Sequence, residues 1–188
     1  HPSLVFVILI AVVIVLSHLF HLLGTAVDFD VVNPVTHEIE HTSAAVRSLI
    51  LDHSKRPRGF GKLEQATHRA QGYNPLCGDQ LELELHIDSG LVRDVRFTGK
   101  GCAISTASAS LLTEAVRGRS LDEVHRLFER FHAAVTTPPG NEIDAAPLGK
   151  LAALTGVREF PMRVKCASLA WHTLEAAVRS EGAPVSTE

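Results

Sequence analysis

Leu81-Glu82-Leu83-Glu84-Leu85-His86-Ile87-Asp88-Ser89-Gly90-Leu91-Val92 carries the clearest structural signal in the chain. Leucine and isoleucine alternate with Glu82, Glu84 and His86, the period of two that turns one strand face to a core and the other to solvent. Asp88-Ser89-Gly90 reads as a hairpin turn, because glycine accepts the left-handed backbone that tight turns need. Leu91, Val92, Val95 and Phe97 belong to the returning strand. An antiparallel hairpin brings its outer ends together. Cys77 precedes this hairpin and Cys102 follows it, so two residues 25 apart in sequence become neighbours.

Working outward, the segment before the hairpin is Asn74-Pro75-Leu76-Cys77-Gly78-Asp79, a tight loop that holds a thiol and a carboxylate with one glycine between them. On the far side, Gly99-Lys100-Gly101-Cys102 runs into a helix through Ala107, Leu111, Leu112 and Val116, with Ser105 as its expected cap. That places Cys102 near a helix N-terminus, where the dipole favours thiolate over thiol. Further helices are expected over Leu121–Val135 and Leu148–Leu154, separated by the proline- and glycine-rich stretch Thr136 to Pro147. Cys166 is expected in the first turn of an amphipathic last helix that includes Leu169, Ala170 and Leu174. Ahead of the hairpin, Thr42 or Ser43 caps a helix with Ala45, Val46, Leu49 and Ile50 on its apolar face. The fold class is therefore α+β, a small antiparallel sheet from the Leu81–Phe97 hairpin, with room for one further strand, packed against several helices.

Cys77, Cys102 and Cys166 are the only cysteines, an odd number that excludes a fully paired disulfide framework. A chain of 188 residues does not need such staples, which favours a reducing compartment, the cytoplasm, and leaves the thiols for metal or reactivity. Inert, buried thiols are the plain alternative. Three thiolates and one carboxylate have the number and type of ligands for one tetrahedral zinc. His53, His68 and His86 have no position that demands metal, and surface or hydrogen-bonded histidine is the expectation for each. Trp171 reads as core. Ser105 and Ser108 read as capping and helix-packing residues, and no Ser/His/Asp arrangement is evident.

A net charge of −3, without a basic stripe interleaved with aromatics, speaks against nucleic acid. The first 24 residues are an apolar segment. Residues 4–23 are long enough to span a hydrocarbon core of ~30 Å as a helix, so membrane association through them is one reading. Lys55, Arg56 and Arg58 would then keep the domain on the cytoplasmic side. The other reading is an extension foreign to the domain. Residues 25–41 are expected to be a linker, 42–182 the folded domain, and 183–188 a flexible tail.

The chain resembles the U-type iron–sulfur assembly family from about Ala44 to Val178. The resemblance rests on Leu49-Ile50-Leu51-Asp52-His53 with Lys55-Arg56-Pro57-Arg58, on Asn74-Pro75-Leu76-Cys77-Gly78-Asp79, on Gly99-Lys100-Gly101-Cys102-Ala103-Ile104-Ser105 with Ser108-Ala109-Ser110, and on Phe160-Pro161-Met162-Arg163-Val164-Lys165-Cys166-Ala167-Ser168-Leu169-Ala170-Trp171. The scaffold branch of the family carries histidine before its third cysteine. Lys165 stands there in this chain, and 63 residues separate Cys102 from Cys166, room for the insertion of the SufU branch. Resemblance to that branch implies zinc held by Cys77, Asp79, Cys102 and Cys166, with Cys77 as sulfur acceptor and Arg163 and Lys165 in support. It also implies a cysteine desulfurase of SufS type as partner, with downstream Suf cluster-assembly proteins. A scaffold binding a [2Fe-2S] cluster on the same cysteines, or a structural zinc domain without transfer activity, are the alternatives.

Overall fold

A computed structural model describes residues 34–180 and 184–187. The apolar stretch 4–23, whether anchor or extension, lies outside the described residues. Among those described, no helix is long and apolar enough to cross a membrane.

Helix α1 spans Pro34–Lys55, eight residues earlier than Thr42, so part of the expected linker is helical. Proline suits the first helical position, where its missing N–H has no helical partner to lose. The chain then crosses to the sheet, where Gly59 and Gly61 exchange backbone hydrogen bonds of 2.9 and 2.8 Å with Phe97. The Leu63 N–H donates to Glu84 Oε2 at 2.7 Å.

Four strands follow in the spatial order β3-β2-β1-β4: β1 His68–Asn74, β2 Asp79–Asp88, β3 Leu91–Lys100 and β4 Val185–Ser186. The hairpin forms as expected, with Asp88 opposite Leu91 and Ser89 and Gly90 both left-handed at φ 51° and 75°. That is the two-residue turn whose twist matches the strands. The sheet is mixed rather than purely antiparallel. Strand β4, in the stretch expected as a flexible tail, pairs in parallel with β1 at Gly72 and Tyr73.

Strand β1 is the element that periodicity conceals. Its inward residues are Ala70, Gly72 and Asn74, alternating with Arg69, Gln71 and Tyr73, so no large apolar side chain marks the period of two. The last helix requires this. A Cβ on Gly72 would collide with Thr173 Oγ1 and come within 3.1 Å of Leu169 Cδ1. Small residues let that helix lie close on the strand.

Helices α2 (Ala103–Val116), α3 (Leu121–Thr136) and α4 (Pro161–Val178) follow, with a 3₁₀ segment at Ala146–Glu159 kinked at Gly149. Ser120 and Glu123 close a capping box at the start of α3. One sheet face, with Leu83, Leu85, Val92 and Val95 inaccessible to solvent, packs beneath the helices. Each such aliphatic side chain contributes about 1.5–3 kcal/mol by leaving water. Trp171 is core as expected, stacked on Phe131 at 4.5 Å between ring centroids, which ties α4 to α3.

Two helix starts differ from expectation. Cys102, not Ser105, is the N-cap of α2: its sulfur accepts from the Ser105 N–H at 3.5 Å. Pro161 opens α4, so Cys166 is the sixth helical residue and lies in the second turn, not the first. Its backbone N–H is within reach of an intrahelical acceptor, and the helix-start argument for a lowered thiol pKa does not apply to it.

Candidate metal centre

Asn74 pairs with Asp79 across β1 and β2, so Pro75-Leu76-Cys77-Gly78 is the tip of a second hairpin. Gly78 takes φ 70°, the left-handed conformation that closes the turn. The tip exposes Cys77 while Asp79, the first residue of β2, is completely buried. At the same end of the sheet Gln80 pairs with Lys100, so the end of β3 delivers Cys102 beside Asp79. The Cys102 N–H donates to Asp79 Oδ1 at 2.8 Å. Gly101 makes this approach feasible: a Cβ there would lie 3.1 Å from both Asp79 Oδ1 and Ser105 Oγ.

Helix α4 supplies Cys166, 2% exposed, whose thiol donates to Cys77 Sγ at 3.1 Å. Ser108 on α2 fixes the helix beside it by donating to the Ala167 carbonyl at 2.6 Å. One donor atom each from Cys77, Asp79 and Cys166 lies within 4.8 Å of the others. Cys102 stands next to this trio but outside it, linked through its backbone to Asp79. The structure thus brings three of the four expected ligands into one cluster and puts the fourth at its border.

Asp79 Oδ2 is buried and has no hydrogen-bond partner among the described residues. A buried carboxylate oxygen left so is costly, and a cation satisfies it. Burial, then the contact with Cys77 and the charge of Cys102, pushes the Cys166 thiol far above the usual thiol range. Alone it stays protonated; a divalent cation inverts that preference by binding the thiolate. Sulfur donors with one carboxylate fit zinc, and thiolates also suit iron–sulfur units. The donor set therefore accommodates the metal.

Arg163, exposed, holds its guanidinium 4.3 Å over the Phe160 ring, and Lys165 is half-buried directly before Cys166. His53, His68 and His86 take no part in the cluster. His53 is buried on Ser110 Oγ at 2.8 Å, His68 meets Thr67 Oγ1 at 2.8 Å, and His86 meets the Gln65 carbonyl at 2.8 Å. Asn74 is the residue whose place sequence reading overlooked. It is fully buried and donates from Nδ2 to Cys166 Sγ at 3.5 Å. Its position two residues before an exposed loop leucine gave no sign that a helix 92 residues away would cover it.

The model of the NifU-like N-terminal domain matches residues 45–167. The chain belongs to that family. Among NifU-like relatives, the chain is 39% identical to the zinc-dependent sulfurtransferase SufU of Bacillus subtilis, over 72% of this chain and 90% of that protein. It is 41% identical to the iron–sulfur cluster assembly scaffold protein IscU of Streptococcus pyogenes, over 70% of this chain and 81% of the relative. A crystal structure from Fervidobacterium islandicum, described as a cluster assembly scaffold protein for the SUF system, superposes with a TM-score of 0.64. It shares 36% identity, over 69% of this chain and 93% of that one. The NifU-like match spans all three cysteines and stops one residue past Cys166.

Proposed function

We propose that the chain is a zinc-dependent sulfur-transfer protein of iron–sulfur cluster assembly, taking persulfide sulfur from a SufS-type cysteine desulfurase in the cytoplasm. The observation that carries this reading is the buried, unpartnered Asp79 oxygen beside the Cys77 and Cys166 sulfurs. Cys77, Asp79 and Cys166 would hold zinc, with Cys102 as the fourth ligand from the cap of α2. Bound zinc keeps its thiols deprotonated at neutral pH and has no redox chemistry of its own.

The remaining chemistry belongs to the chain. Cys77 and Cys102 are both exposed, but Cys77 alone sits at the tip of a hairpin loop, from which its sulfur attacks the outer sulfur of the donor persulfide. The donor S–S bond breaks, the donor cysteine leaves as a thiolate, and Cys77 carries the new persulfide. Zinc with three thiolates and a carboxylate leaves a net charge of about −2. Lys165 offsets that charge from the residue before Cys166, with Arg163 two positions earlier; neutral histidine at 165 would not. Leu76, Phe160 and Met162, about half exposed at 53%, 45% and 48%, lie on the two segments that carry Cys77 and Cys166. Exposed apolar side chains flanking a reactive thiol suit a protein partner.

A second reading, a [2Fe-2S] scaffold on the same cysteines, is favoured by the names of the scaffold relatives and opposed by Lys165. The deciding experiment is metal and sulfide analysis of anaerobically purified protein, followed by assay with a cysteine desulfurase. One zinc per chain and a desulfurase turnover that the protein accelerates support transfer. A coloured protein with stoichiometric iron and sulfide means a scaffold.

A further inference from the structure

Asn74 makes two hydrogen bonds that join the two halves of the centre. Oδ1 accepts the Leu76 N–H at 3.2 Å, the turn that asparagine makes with the backbone two residues on. Nδ2 donates to Cys166 Sγ at 3.5 Å. The amide orientation follows from chemistry: turned over, its NH₂ would face the Leu76 N–H, donor against donor. Asn74 has no exposed surface, so neither bond is exchanged for water. A side chain that packing alone required would be better apolar here, because a buried amide must be satisfied.

We infer that Asn74 is a positioning residue of the metal centre, the latch that fixes the Cys77 loop against Cys166 and feeds a hydrogen bond to a ligand sulfur. The inference rests on the proposed zinc reading. An N–H donated to a thiolate spreads its charge, and the bond to Leu76 sets where the loop tip carries Cys77. Loss of an outer-shell partner of this kind costs about 10–100-fold in metal affinity. Two substitutions separate the bonds. Asn74→Asp keeps an acceptor for Leu76 but places a carboxylate against the sulfur; Asn74→Ala removes both contacts.

The test is zinc affinity by chelator competition on the full chain, with cobalt-substituted protein read by its sulfur-to-cobalt absorption. Both variants should bind zinc at least about tenfold more weakly, Asn74→Asp the more so, and both should shift the cobalt band. Wild-type affinity and an unshifted band in either folded variant overturn the inference. A measurement on the unaltered chain guards against variants that do not fold. In ¹¹³Cd-loaded protein the Asn74 side-chain amide proton should couple to cadmium through the Cys166 sulfur; metal-loaded protein without that coupling also overturns it. Failure of the chain to bind zinc, cobalt or cadmium at all removes the zinc reading and this inference with it, an outcome distinct from binding that is indifferent to Asn74.

Discussion

Cys77 and Cys166 bring their sulfurs within 3.1 Å of each other from opposite kinds of structure. Cys77 stands on the exposed tip of a four-residue hairpin loop, whereas Cys166 is buried in the second turn of an 18-residue helix. The helix is pinned through Ser108 to α2 and through Trp171 to α3. The loop is held at its base by the Asn74–Asp79 pair and by one side-chain bond to Leu76. Moving Cys77 therefore disturbs a turn; moving Cys166 disturbs the core. On the proposed function, a centre that grips a metal and offers a nucleophile gains from this asymmetry, since one thiol can react while the other keeps its place.

The sharpest way to break the comparison is to remove each sulfur in turn. Cys77→Ala should reduce sulfur transfer from a desulfurase to background while changing the stability of the metal-free protein by no more than about 0.5 kcal/mol, as for an exposed loop position. Cys166→Ala should lose the metal and also lower the melting temperature, by an amount corresponding to about 1 kcal/mol. Equal melting effects would erase the distinction. Asp79→Asn comes next: it leaves an acceptor for the Cys102 N–H but removes the charge. Zinc affinity, by competition with a chelator, should fall by at least the ~10–100-fold that an outer-shell change costs.

A gentler probe needs no substitution. In metal-free protein, iodoacetamide should label Cys77 well before Cys166, as followed by peptide mass spectrometry. Modification of Cys166 at a similar rate would mean that the helix opens as readily as the loop. The smallest effect concerns the anchored side, through the contact of α1 with α2. Burial, with the nearby Arg58 charge, holds the His53 imidazole below its ordinary value. In the unfolded chain it titrates near ~6.5. As pH falls through that value the unfolded state takes up the proton first, so this contribution is full above it and is lost toward lower pH. Melting temperature should decline from pH 7 to pH 5, and less steeply in His53→Asn. An unchanged slope would assign the decline to other groups.

The hairpin, the order of the later helices and the return of Cys102 to the segment that holds Asp79 were legible because alternation, turn chemistry and loop closure act over short stretches. Strand β1 was not, because its inward residues answer to a helix some 100 positions away, and glycine and alanine carry no periodic signal. The start of α4 was misjudged for a local reason: Pro161 already supplies a first turn, pushing Cys166 deeper into the helix. The sequence by itself determined which donors exist, three thiols and the Asp79 carboxylate, and that a hairpin would return the segment of Cys102 to that of Asp79. Only the tertiary structure decided that Cys166 arrives from the core, that one oxygen of Asp79 is buried without a partner, and that Asn74 spans loop and helix. Those depend on α4 lying across β1, a contact made by packing between distant parts of the chain, which no local pattern encodes.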